Sequence, residues 1–298
     1  MKIGVDLGGH TILAASVREA ERGRAPTIER SVTMATPKDR SISDVTGAIG
    51  RAVADLASIG GVKSVGVAVP GMVDLGRRRA RRLPNFPLEW DDVDVSEALS
   101  AELRAHGLNL PVSIENDANC AALGEGIAGE AIGMENFVVI TMGTGIGCGI
   151  IIGGHLVTGA HGMAAEAGHV VTGGENPCGC GGMGHAETIA AADGVTKRAL
   201  SAGLPGDFKD LWKLRGEASA DEVIDAMIDA MARTIATITH MLDPEAIIVG
   251  GGMSRAPGLA EAMSERAVRY LSRPFKNILD VRASKLGNDA AIYGAAEI

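Results

Sequence analysis

The chain states one design twice. MKIGVDLGGHTILAASVR, residues 1–18, reads as an apolar strand, a glycine turn and a returning strand, and FVVITMGTGIGCGIII, residues 137–152, repeats that order. Helical and strand-like segments alternate after each. A duplication on this scale is larger than a short tandem repeat. It points to two α/β lobes with an inter-lobe cleft, where ligands tend to sit. The pattern assigns residues 1–117 to a smaller N-terminal lobe and 118–298 to a larger C-terminal lobe, with the C-terminal helix able to return to the first. With 298 residues, 46% of them hydrophobic, both lobes can hold a core.

Helical spacing puts Ile42, Val45, Ile49, Val53 and Leu56 on one face of residues 41–58. Further helices are expected at 94–107, near 186–202, at 219–242, from Pro257 at a first turn, and at 287–296. The segment RRRARRLPNFPLEW, residues 77–90, reads as a polar, proline-rich loop. Its basic run is either a solvated face or a neighbour of an anionic ligand. Met227, Met231 and Met241 are expected in a core or an interface, and Cys120 and Cys148 as small buried residues.

A net charge of -9 and a pI near 5.3 argue against nucleic acid as a partner. Lys2 leads straight into a strand, which does not resemble a signal peptide, and no apolar run reaches the roughly 18 residues of a membrane helix. The expectation is a cytoplasmic chain with no membrane partner. Four cysteines, two of them in Cys178-Gly179-Cys180, suggest metal ligation in a reducing compartment.

Three glycine turns carry the first candidate chemistry: Asp6-Leu7-Gly8-Gly9-His10-Thr11, Gly143-Thr144-Gly145, and Gly250-Gly251-Gly252. Such turns can serve as plain hairpins, or their N–H groups can cradle phosphate. A strand follows GTGIGCG and none of the three turns carries G-x-G-x-x-G or G-x-x-x-x-G-K-[ST], which disfavours a dinucleotide fold and a P-loop. Asp6 could hold Mg²⁺ through water. Glu115, Asn116, Asp117 and Asn119 stand at a strand-to-helix junction, where they either cap the helix or take a proton from a hydroxyl acceptor. His169, Cys178, Cys180 and His185 form H-x8-C-x-C-x4-H, which suits a closed structural zinc site; the alternative is an empty loop.

DLGG, ENDANCAALGE, TMGTGIGCGII, GMAAEAGH, CGCGGMGHAE and IIVGGGMS resemble, in order and across the whole chain, the ROK family of repressors, open reading frames and sugar kinases. The resemblance implies an actin-like (ribonuclease H-like) fold, ATP-dependent phosphorylation of a sugar, a structural zinc and a homodimer. It implies Asp117 as general base, with Asn85, Asn116, Glu166, His169 and Glu187 toward the sugar. Asp6, Gly8, Gly9, Thr11, Gly143, Thr144, Gly145, Gly251 and Gly252 would then face nucleotide and Mg²⁺. The chain departs from the family's pattern at three places. His185 stands where a third cysteine is usual, and His10 where threonine is common. In LPNFPLEW, Leu88 replaces a glycine and Glu89 adds a residue before Trp90. The reading is a glucokinase-like hexose kinase, with fructose, mannose, allose or an N-acetylated amino sugar as other acceptors. A sugar-sensing regulator and a non-catalytic sugar-binding protein are the rivals of another class.

Overall fold

The computed structural model describes residues 1–20 and 25–298. In chain order the elements are β1 Lys2–Leu7, β2 Thr11–Arg18, β3 Thr27–Ala35, α1 Ile42–Ala57, β4 Val65–Val69, β5 Met72–Val73, β6 Arg79–Arg82, β7 Val93–Asp94, α2 Val95–Ala105, β8 Val112–Asn116 and α3 Asp117–Ala128. They continue as β9 Phe137–Met142, β10 Ile146–Ile152, β11 His155–Leu156, α4 Glu187–Ala190, α5 Ala192–Ser201, α6 Phe208–Lys213, α7 Ala218–Leu242, β12 Ala246–Gly250, α8 Leu259–Ala267, β13 Val281–Ala283 and α9 Asp289–Glu297.

Two five-stranded sheets share one plan. The first has the order β3-β2-β1-β4-β8 and the second β11-β10-β9-β12-β13. In each, an antiparallel hairpin (β1–β2, β9–β10) leads to parallel strands (β4 and β8, β12 and β13). The duplication expected from the two hairpins is thus present in the sheet topology. Parallel strands need both faces covered, which is why β4 and β12 are buried along their whole length.

The chain forms two compact units. One comprises Met1–Ile132, Leu156–Ala164 and Asn288–Ile298; the other comprises Gly133–His155 and Ala165–Gly287. The first has a core of Ile3, Val5, Leu7, Val65, Val67 and Ile114 against Val45, Ile49, Val53 and Leu56 of α1 and Leu99 and Leu103 of α2. α9 packs on this unit by close backbone approach. A Cβ at Gly66 would stand 1.8 Å from the Ala295 carbonyl oxygen, and one at Gly124 1.9 Å from that of Ala290. The core of the second unit sets Ile140, Met142, Ile247 and Val249 against Met227, Met231 and Ile235 of α7. Cys120 and Cys148 are buried as expected.

Several local expectations change. The helix read near 186–202 breaks at Ala191, because the Ala192 N–H turns aside to the Gly143 carbonyl (2.9 Å). Pro257 stays outside α8, whose N-cap is Gly258 at φ 78°. The proline-rich loop contains β6, which pairs with β5 and β7 in a separate three-stranded sheet. Edge strand β3 exposes most of its residues, and its one partly buried face, Ile28, Val32 and Met34, is interrupted at Arg30, which weakens the alternation. Met227 and Met231 are fully buried in α7, while Met241 at its end is 76% exposed.

Candidate active site and metal centre

β1, β4 and β8 of the first unit run parallel, so their carboxyl ends share one edge of the sheet, the edge where α/β sheets bind ligands. Asp6, the Gly8-Gly9 turn, Gly71 and the Glu115–Asp117 junction all lie there. The first turn is held by the Gly8 N–H donating to the Thr11 carbonyl (2.9 Å) and by the Thr36 hydroxyl donating to the Gly8 carbonyl (2.7 Å). The Asp6 carboxyl is pushed up to about 7, first by burial and then by the charge of Asp117. The two carboxyls are therefore close enough to oppose each other's ionisation.

Asn116 is the N-cap of α3. Its Oδ1 accepts from the Ala118 and Asn119 N–H groups, each at 3.0 Å, and its Nδ2 donates to the Gly71 carbonyl (3.0 Å). The capping role is thus realised by Asn116, and only the second Nδ2 proton is left for a ligand. Asp117 follows at the first helical position. Its Oδ1 accepts from the Ala118 N–H (2.8 Å), where the helix dipole favours the carboxylate.

Asn85 occupies left-handed backbone at φ 66°. Its carbonyl accepts from the Arg40 guanidinium, whose own residue is left-handed at φ 53°. Trp90 is fully buried, with its Nε1–H donating to the Arg40 carbonyl (2.7 Å). A fully buried ring offers no face for a sugar to stack on. Its ring packs edge-on against Phe86 instead. The Arg run is neutralised rather than bare: Arg78 pairs with Asp94, Arg79 and Arg81 with Asp92, and Arg82 with Asp91.

In the second unit, β9 and β12 end side by side, with Gly250 in register with Thr141. The Gly143 N–H donates to the Gly145 carbonyl (3.0 Å), closing the turn that holds Thr144. Gly251 has φ 84°, and a Cβ there would lie 2.4 Å from the Met142 carbonyl oxygen. No other residue fits so close to that turn. Gly252 follows with open space around it. Glu187, the first residue of α4, accepts from the Ile146 N–H (2.9 Å). The Glu166 carboxyl is raised by burial first, then lowered in part by His169 and raised again by Glu187.

His169, Cys178, Cys180 and His185 place one donor atom each within 4.8 Å of one another. His169 Nδ1 lies 4.0 Å from Cys178 Sγ, and His185 Nδ1 lies 3.3 Å from Cys180 Sγ. His169 Nε2 faces the other way, 3.6 Å from Glu166. Two imidazoles and two thiols gathered this way fit a tetrahedral zinc site. One histidine then offers a nitrogen to the cluster and the other nitrogen outward.

The ROK family model matches residues 2–298. The chain belongs to the ROK family. It is 35% identical to a glucokinase of Thermotoga maritima, over 99% of this chain and 96% of that one. A ROK glucokinase from Streptomyces griseus, solved with glucose and AMPPNP, is 30% identical with a TM-score of 0.83, covering 99% of this chain and 98% of its own. The ROK hexokinase of Thermus thermophilus is 31% identical with a TM-score of 0.82, covering 99% and 96%. The chain is therefore a glucokinase-like ROK sugar kinase with that family's actin-like α/β fold.

Within this ROK chain the altered segment before Trp90 has a use. Glu89 Oε1 accepts from the Ile42 N–H (3.0 Å) at the start of α1. Together with Arg40 it fastens the Asn85 loop to the segment before that helix. His10 is exposed beside Thr11. Sequence reading missed the partner of Glu115, a carboxylate 5% exposed whose Oε2 accepts from Arg77 Nε (3.1 Å). The acidic residues at 91–94 were the available sign that the Arg run is paired. No comparable sign singles out Arg77. Among the described residues, no helix is long and apolar enough to cross a membrane.

Proposed function

We propose that this ROK kinase transfers the terminal phosphoryl group of ATP to a hydroxyl of a hexose, glucose first, with Asp117 as general base. The observation that carries the proposal is the position of Asp117. It starts α3 at the carboxyl edge of the first sheet, within electrostatic reach of Asp6 beside the Gly8-Gly9 turn. The complex of the Streptomyces relative with glucose and AMPPNP supports the substrate pair.

Asp117 takes the proton from the acceptor hydroxyl. That oxygen attacks the γ-phosphorus, the bond to the β,γ-bridging oxygen breaks, and ADP leaves with the electron pair. Phosphoryl transfer needs positioning and charge neutralisation more than covalent help. The turns at Gly8-Gly9-Thr11, Gly143-Thr144-Gly145 and Gly251-Gly252 offer backbone N–H groups and hydroxyls to the phosphates. Asp6 would hold Mg²⁺ through water, and the ion would neutralise phosphate charge. Asn85, the second Nδ2 proton of Asn116, Glu166, His169 Nε2 and Glu187 would hold sugar hydroxyls. His169, Cys178, Cys180 and His185 would hold Zn²⁺, which would fix the loop that presents Glu166, His169 and Glu187. A homodimer and a cytoplasmic location complete the proposal, supported by the exposed Met241 and by four free cysteines.

The test is a coupled ADP-release assay across hexoses and N-acetylated amino sugars. Turnover with at least one sugar is expected, greatest with glucose. Absence of turnover with every sugar would replace this reading with a non-catalytic sugar-binding protein.

A further inference from the structure

Arg77 meets the end of β8 through two hydrogen bonds, both inside the first compact unit. Its Nε donates to Oε2 of Glu115 at 3.1 Å, and its carbonyl accepts the Ile114 N–H at 2.8 Å. Its backbone is left-handed at φ 56°, a conformation an arginine adopts only when its surroundings hold it there. Glu115 spends its other oxygen, Oε1, on the Asn116 N–H (2.9 Å) and on Asn119 Nδ2 (3.0 Å). That carboxylate is thus a clip: one oxygen holds the first turn of α3 and the other is held by Arg77. The hairpin of β5 and β6 is tied to the same turn a second time, through Asn116 Nδ2 on the Gly71 carbonyl just before β5. Glu115, Asp117, Asp6 and Arg77 all act on the buried Cys120 thiol, the three carboxylates raising it and Arg77 lowering it.

We infer that Arg77 is a positioning residue for phosphoryl transfer: through Glu115 it fixes the turn that aims Asp117. The inference rests on Asp117 being the base. A buried carboxylate stripped of its cation is costly, so the junction would rearrange rather than keep the unpaired charge. A misplacement of about 1 Å at a reacting group can cost on the order of 10²-fold in rate. The remaining cations of the run, Arg78 to Arg82, pair with Asp91, Asp92 and Asp94 and do not share this duty.

The experiment compares Arg77→Met, Arg77→Lys, Glu115→Gln and Asp117→Asn in the full chain by steady-state kinetics and thermal melting. Arg77→Met is expected to lose roughly 10- to 100-fold in kcat while KM for the sugar stays within about threefold, the pattern of lost transition-state positioning. Arg77→Lys restores most of that loss, since an ammonium can still meet Oε2. Glu115→Gln is expected to lose a comparable amount, roughly 10- to 100-fold, because an amide has a single oxygen: if that oxygen keeps the clip on α3, the NH2 group faces the Arg77 Nε–H donor to donor. A folded Arg77→Met with kcat within twofold of the parent overturns the inference. If that variant does not fold, unchanged kcat in folded Glu115→Gln overturns it instead. Full turnover in Asp117→Asn would overturn the base assignment, separately from the role of Arg77.

Discussion

The Glu115–Asp117 junction and the His169–His185 loop are both dense in polar groups, yet they are built in opposite ways. The junction is fixed by regular structure: β8 leads into α3, Asn116 caps the helix, and Glu115 is clipped on both sides. The loop contains little regular structure. Gly173, Gly174, Gly181 and Gly184 all take positive φ, and only isolated bridges such as Val171 to His185 cross it. Its four donors converge without a hydrophobic core of their own. The contrast teaches that the first region is self-supporting, whereas the second gathers four donors that fit a metal ion.

The largest effect belongs to the self-supporting region. Asp117→Ala should lose about 10² to 10⁴ in kcat, the range of general base catalysis, while the melting temperature stays close to the parent. A large drop in stability would show that the junction leans on Asp117 itself and would break the contrast. Next comes the loop. Chelation of metal, or Cys180→Ser, should lower activity about 10- to 100-fold and abolish bound zinc by elemental analysis, with a lower melting temperature. Unchanged stability in the metal-free protein would mean that the loop, too, holds itself.

A smaller effect sharpens the comparison within the first unit. Arg40→Ala removes the guanidinium on the Asn85 carbonyl and should raise KM for the sugar severalfold, on the order of one lost charged hydrogen bond, with kcat little changed. An unchanged KM across the hexose panel would separate the Asn85 loop from sugar binding. The smallest effect is on stability. The folded pKa of Asp6 is about 7, above the ordinary 3.8, so its contribution is favourable when protonated and is lost as pH rises through about 7. At pH 8 in metal-free buffer, Asp6→Asn should therefore raise the melting temperature by roughly 2–4 °C or more while activity falls. The gain should shrink toward pH 4, and a gain independent of pH would refute the cause.

Much of the molecule was legible because its signals are local. The two hairpins, the amphipathic spacing of α1 and α7, and the H-x8-C-x-C-x4-H pattern each lie within a short stretch. The helix expected at 219–242 is observed at Ala218–Leu242, closed by Asp243 in left-handed conformation. Other features were not legible because their partners are remote. Trp90 is enclosed by the Arg40 carbonyl and the first core, partners that lie far from it in the sequence. The Arg run looked like a loop until Asp91, Asp92 and Asp94 came across from β7 and the turn before it.

By itself, then, the sequence determined the duplicated α/β plan, the glycine turns and the four candidate metal donors, since strand period, turn conformation and ligand chemistry depend on near neighbours. Tertiary structure alone decided what lies against what. α9 returns to β1, β4 and α3 because Gly4, Gly66, Gly124 and Gly294 let carbonyl groups approach to distances no side chain would permit. Glu115 is paired because a turn 38 residues earlier delivers Arg77 to it. Burial raises the cost of every unmatched charge, and only the folded chain specifies which charges are matched.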